Sequence, residues 1–269
     1  MNDTSPEAER VLIEVYRKMP VGRKWLNLGK MFLDARALHA AGVRLRNPQA
    51  TEREIADSWI KNLLGPLQPD HLGERLMETP LSSLQEFRAV ARVFLALGIP
   101  YALGGSMASS VHGRDRYTRD ADVTVEPFTG KEQQLIDALG PDYYLSLPAI
   151  QDAIRRRASF NIINSITGFK TDVFVRKDTA FEQAAFQRRA DLTLPDTAEP
   201  ITVHSAEDII LFKLKWYRLG NETSEQQWKD IRGVVQTQGD KLDQAYLDRW
   251  APDLGVADLL QRVREESAD

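Results

Sequence analysis

The chain contains no cysteine. That removes every disulfide, thiolate metal ligand and thiol nucleophile from consideration, and it fits a protein kept in a reducing cytoplasm. No apolar run approaches the roughly 18 residues of a membrane helix, so no membrane partner is expected. Positive charge is not in excess. The chain has 35 Lys and Arg against 39 Asp and Glu, a formal net charge of -4, which leaves it without an overall basic footprint for nucleic acid. The start, Met1-Asn2-Asp3-Thr4-Ser5-Pro6-Glu7, is polar and acidic, unlike a secretory signal, and again predicts a cytoplasmic protein. Internal repeats and low-complexity tracts are absent. What remains is an ordinary globular composition, 42% hydrophobic and 28% charged over 269 residues, enough for one large or two modest domains.

Helical signals dominate the first quarter. Ser5-Pro6-Glu7 opens a helix with Val11, Leu12, Val15 and Met19 at helical spacing. A second helix is predicted from Trp25 to Ala41, ending near Gly42, and a third from Thr51 to Leu64, opened by Thr51 and a glutamate three residues on. Gly65-Pro66-Leu67-Gln68-Pro69 reads as a linker. Helix and strand then alternate. Ser82 or Ser83 caps a helix through Leu97, closed by Gly98, and Ile99–Leu103 is a short buried strand. A helix follows over Ser106–His112, then a strand over Ala121–Val125. Gly130–Leu139 and Pro148–Arg157 read as helices. Phe160–Ile166 and Phe169–Val175 read as a hairpin about Thr167-Gly168. After a short strand at Ile201–His204, helices are predicted over Ser205–Leu219, Ser224–Gln238, Asp243–Trp250 and Val256–Glu265.

The chemistry concentrates in one window. Leu103-Gly104-Gly105-Ser106 places a glycine-serine turn just after an apolar strand, and Asp120-Ala121-Asp122 opens the next one. Alternate strand residues share a face, so Asp120 and Asp122 present both carboxylates to one side. Such a pair repels unless a cation lies between them, and an all-oxygen donor set suits Mg²⁺. Backbone N–H groups at a glycine turn opening a helix can hold the phosphates such a metal carries. Together these features read as a metal-dependent nucleotidyl-transfer site.

Each residue also has a plainer reading. A lone Asp-x-Asp usually caps a helix or makes a turn. Ser106 can be an N-cap as well as a phosphate ligand, and a cap aims N–H groups outward in either case. Asp172 interrupts the apolar run Phe169–Val175. Burial without a partner is costly for a carboxylate, so a third-ligand role is favoured over a water-facing edge. Arg114, Arg116 and Arg119 neutralise phosphates, pair with the aspartates or simply form a solvated loop, and His112 reads as structural. Ile209, Ile210, Phe212, Leu214 and Trp216 leave little of their helix for water. Lys213 is therefore expected to snorkel, with Asp230 on the following helix able to pair with it.

The run Leu103-Gly104-Gly105-Ser106, His112-Gly113 and Arg116-Tyr117-Thr118-Arg119-Asp120-Ala121-Asp122 resembles the DNA polymerase beta-like nucleotidyltransferase superfamily. It is most similar to the bacterial branch of AbiEii-type toxins and minimal nucleotidyltransferases. The resemblance implies an α/β (α+β) fold, a small mixed β-sheet core over residues 80–204 flanked by helices. A helical N-terminal segment over 1–75 and a C-terminal helical bundle over 205–269 complete it. It implies that Gly104, Gly105 and Ser106, with Arg116, Arg119 and Lys213, bind an NTP. Asp120, Asp122 and Asp172 would hold two Mg²⁺ (or Mn²⁺) ions. The order Ile210-Leu211-Phe212-Lys213 then Trp228-Lys229-Asp230 matches the toxin branch and makes Lys213 a catalytic candidate. Glu225-Gln226-Gln227 stands where that branch carries an arginine. The implied acceptor is a hydroxyl of an RNA end, a protein or a small molecule. The N-terminal helices offer a surface for a protein partner, as in a toxin-antitoxin or phage-defence pair. The alternative is a catalytically silent, antitoxin-like binding protein on the same fold.

Overall fold

The computed structural model describes residues 15–64, 83–114, 120–165, 167–192 and 200–268, with Val11, Ile13 and Thr118 besides. The expected linker at 65–69, Arg116 and Arg119 lie outside the described residues. The architecture is α/β. The chain forms two compact units of interleaved segments, one of residues 26–102 and 117–177, the other of 1–25, 103–116 and 178–269. Among the described residues no helix is long and apolar enough to cross a membrane.

The first unit holds most of helix α1 (Val21–Arg46), then α2 (Glu52–Leu64) and α3 (Ser83–Ala96). Helix α1 runs through Gly42 rather than stopping there. An interior glycine costs only about 1 kcal/mol against alanine. The helix instead ends ahead of Pro48, which has no N–H to continue it. Helix α2 begins with the expected capping box. The Glu54 N–H donates to Thr51 Oγ1 at 3.2 Å and the Thr51 N–H donates back to Glu54 Oε2 at 2.8 Å.

Strand β1 (Tyr101–Leu103) starts in this unit, with Tyr101 against Phe87 and Phe94 of α3 at 6.1 and 5.9 Å between ring centroids. Beyond it come β2 (Asp120–Val125), α5 (Glu132–Leu139), β3 (Tyr143–Tyr144), α6 (Leu147–Arg156), β4 (Ser159–Asn164) and β5 (Lys170–Val175). The number α4 belongs to Gly105–His112, in the other unit. Strand β2 pairs parallel with β5, and β5 pairs antiparallel with β4 through the expected hairpin. Gly168, at φ 73°, makes its turn. Strand β3 pairs with the free edge of β4. With only two residues, it carries no period for a sequence reading to detect.

In the second unit β1 reaches β7 (Ile201–Val203) through the parallel pair Leu103–Val203, and β7 pairs antiparallel with β6 (Ala190–Leu192). Helix α7 (Ala180–Gln187) is an element the sequence reading passed over, although Thr179 caps it by accepting from the Glu182 N–H at 3.2 Å. Its Phe181 packs on Phe212 and Trp250, with ring centroids 5.0 and 5.6 Å away. Helices α8 (Ala206–Leu219) and α9 (Glu225–Gln238) start at the caps Ser205 and Ser224. Helices α10 (Gln244–Asp253) and α11 (Ala257–Ala268) complete the unit. Trp216 does not join the core of α8 as expected. It is exposed, and Tyr217 is buried in its stead, because an inward stripe through Ile210 and Leu214 continues at 217.

Candidate active site

Strands β2 and β5 owe their place in the sheet to alternation. Ala121, Val123 and Val125 are buried, as are Thr171, Val173 and Val175, so the intervening residues form a half-exposed opposite face. On that face the parallel register sets Asp122 beside Asp172 and Asp120 beside Lys170. The antiparallel partner adds Asn161 beside Asp172. Three carboxylates thus share one surface of two neighbouring strands. Like charges directly opposite one another destabilise a sheet unless a cation intervenes.

One cation is already present. Lys170 Nζ lies 2.6 Å from Asp172 Oδ2, while Asn161 Nδ2 donates to Oδ1 of the same carboxylate. Asp120 Oδ1 accepts from the Thr118 hydroxyl at 3.0 Å. Among the described residues no three His, Asp or Glu side chains are grouped so as to hold a metal ion. Asp172 is turned toward Lys170 and Asn161. The donor set nonetheless fits Mg²⁺ or Mn²⁺. Magnesium is usually held by one or two carboxylates together with substrate phosphates, and Asp120 and Asp122 stand at i and i+2 on one face. Lys170, Asn161 and Thr118 were not singled out in the sequence. A lysine two residues before Asp172 was visible there, but its reach to that carboxylate depends on both lying on one strand face.

The glycine-serine turn and Lys213 belong to the second unit. Gly104 is the N-cap of α4, with φ -125° and ψ -151°. Gly105 begins the helix at φ 55°, in the left-handed region that glycine occupies without strain. The Ser109 and Ser110 hydroxyls donate back to the carbonyls of Gly105 and Ser106 at 2.7 and 3.0 Å. Helix α4 packs on α8 and α9. At its end, a Cβ on Gly113 would meet the backbone of Gly233 and Val234 at 2.9 Å. The His112-Gly113 pair of the motif is therefore a place where two helices touch backbone to backbone.

His112 is structural, as expected. Its Nε2 contacts the His204 carbonyl at 2.7 Å, and burial lowers its pKa. Arg114 donates to Gln236 Oε1 at 3.0 Å. Lys213 does not snorkel. Its side chain is 10% exposed and its Nζ lies 2.8 Å from Asp230 Oδ2, on a side chain 6% exposed. Gln226 Nε2 donates to the other oxygen of Asp230 at 2.9 Å. The glutamine-rich stretch before Asp230 thus supplies it with a neutral donor.

A polar cluster that the sequence did not reveal lies in the same unit. Arg188 binds Glu207 at 2.9 Å and stacks over the Tyr246 ring at 4.0 Å, and the Tyr246 hydroxyl donates to buried Asp208 at 2.7 Å. Burial raises the Asp208 pKa. These groups tie α7, α8 and α10 together.

No family model matches the chain, and no curated protein does. Solved structures do show a likeness. An antigenic nucleotidyltransferase-like protein from Paracoccidioides brasiliensis is 17% identical at a TM-score of 0.39, over 63% of this chain and 89% of that one. The antibiotic-resistance factor ANT(2'')-Ia in solution is 13% identical at a TM-score of 0.38, over 62% and 91%. Its crystal complex with adenylyl-2''-tobramycin is 16% identical at 0.39, over 63% and 94%. Likenesses this distant assign no activity to the chain.

Proposed function

We propose that this chain is a metal-dependent nucleotidyltransferase, moving a nucleoside monophosphate from an NTP to a hydroxyl acceptor. The observation that carries this reading is the parallel pairing of β2 with β5, which sets three carboxylates on one half-exposed face. Asp120 and Asp122 would hold Mg²⁺ or Mn²⁺. When bound, that ion neutralises triphosphate charge and acidifies the acceptor hydroxyl. The sequence motif gives the phosphate-binding role to Gly104, Gly105 and Ser106, at a helix start whose N–H groups suit it. The same motif gives a phosphate role to Lys213, one of whose three N–H donors is engaged by Asp230. Arg116 and Arg119 add further positive charge. Asp172 takes the acceptor's proton. The acceptor oxygen then bonds to the α-phosphorus, and pyrophosphate leaves with the electron pair of the broken P–O bond.

The acceptor is an RNA end, a protein hydroxyl or a small molecule. The acidic balance of the chain speaks against a large bare RNA surface. A toxin role would follow from the same chemistry and rests on the motif order alone.

Each labelled NTP, incubated with Mg²⁺ and total cell extract, should leave label on one acceptor class. Asp120→Asn and Asp122→Asn should each cut that transfer by about a hundredfold or more while circular dichroism is unchanged. Undiminished transfer by both variants would overturn the reading. A protein that Mg²⁺ with NTP fails to stabilise against heat would instead be the silent binding protein.

A further inference from the structure

Lys170 sits two residues before Asp172, opposite Asp120 in the register, and its ammonium reaches back to Asp172 Oδ2 at 2.6 Å. With Asn161 on Oδ1, both oxygens of Asp172 are engaged by protein donors. The remaining carboxylates of the face, Asp120 and Asp122, are two in number. That is the usual protein share of a magnesium site completed by water and phosphate. From this arrangement, and resting on the nucleotidyltransferase reading above, we infer that the site takes a single divalent cation. Lys170 is the fixed second cation, occupying with its ammonium the position beside Asp172 that a second metal would need.

The lysine also gives Asp172 a defined task. A carboxylate clamped by Lys170 and Asn161 is oriented, and each oxygen keeps a second lone pair for an incoming proton. Lys170 is in this sense a positioning residue. A purely structural pair is the competing explanation. With Lys170 38% exposed it would contribute little to stability, and it would leave metal stoichiometry untouched.

Counting Mn²⁺ by electron paramagnetic resonance, with a non-hydrolysable NTP analogue present, separates these cases. The protein should bind one Mn²⁺ per chain. Lys170→Met, which frees Asp172, should bind two, and Lys170→Arg should return the count to one. Two ions on the unaltered protein would overturn the single-cation inference while leaving the nucleotidyltransferase reading intact. One ion on both the protein and Lys170→Met would show that Lys170 replaces no metal. No bound Mn²⁺ at all would remove this inference together with the metal site on which it depends. Lys170→Gln provides a second neutral variant should the methionine form fail to fold.

Discussion

The Lys213–Asp230 pair offers the sharpest test of how the second unit is held together. Both side chains are almost fully withdrawn from water, at 10% and 6% exposure, and they meet at 2.8 Å. Removing one partner of such a pair strands the other charge in a poor solvent, at a cost of about 3–5 kcal/mol. The two single variants should not be equal. Asp230→Ala leaves an ammonium without its carboxylate and belongs at the upper end. Lys213→Met leaves Asp230 still accepting from Gln226 at 2.9 Å, so it belongs at the lower end. Replacing both, as Lys213→Met with Asp230→Leu, removes the stranded charge and should recover most of the loss. Urea unfolding of the four proteins measures this as a coupling of about 2 kcal/mol or more. In thermal melts the single variants should fall by roughly 6–20 °C. Single losses under about 1 kcal/mol that simply add would refute the argument, because they would mean the pair is solvated. If the double variant folds but Mg²⁺ with NTP no longer raises its melting temperature, Lys213 acts on phosphate as well as on structure.

Two further outcomes follow from the same packing. Gly113→Ala would press a methyl group against the backbone of Gly233 and Val234 and should cost about 1–3 kcal/mol in urea unfolding, with Gly130→Ala as a control for strain without a close neighbour. Two buried groups should make stability depend on pH in opposite directions. Burial raises the Glu86 pKa in the fold, so its contribution is complete below the unfolded value and is lost as pH rises through the folded one. Burial lowers the His204 pKa from 6.5 to about 4, so its contribution is present above pH 6.5 and is lost as pH falls toward 4. Glu86→Gln, which keeps an oxygen for Asn164 Nδ2, should remove the loss of stability that sets in as pH rises above the usual glutamate value of 4.5 and leave the His204 dependence in place. The same dependence of the urea midpoint on pH in both proteins would show that Glu86 is not the group responsible.

Local features were legible where the physics is local. Thr51 opens its helix as expected, and Ser205 and Ser224 cap the helices expected to begin at them, because an N-cap bond spans only three residues. The hairpin at Thr167-Gly168 was readable from its turn residues. Gly42 misled because glycine breaks a helix only weakly, and Trp216 misled because an apolar residue on a mostly buried helix is not thereby on its inner stripe. The helix at Ala180–Gln187 also has a local start signal, in Thr179 and Glu182.

The sequence by itself determined which side chains of β2 and β5 share a face, since strand alternation needs nothing beyond the strand. It also placed a glycine-serine turn at the head of a short helix. Tertiary structure alone decided that Asp172 stands opposite Asp122, because parallel register between strands some fifty residues apart is set by packing of their buried faces. It likewise decided that Lys170 turns to Asp172, that Lys213 is buried on Asp230, and that Gly113 touches a neighbouring backbone. Each depends on distances between segments that the chain's local chemistry does not fix.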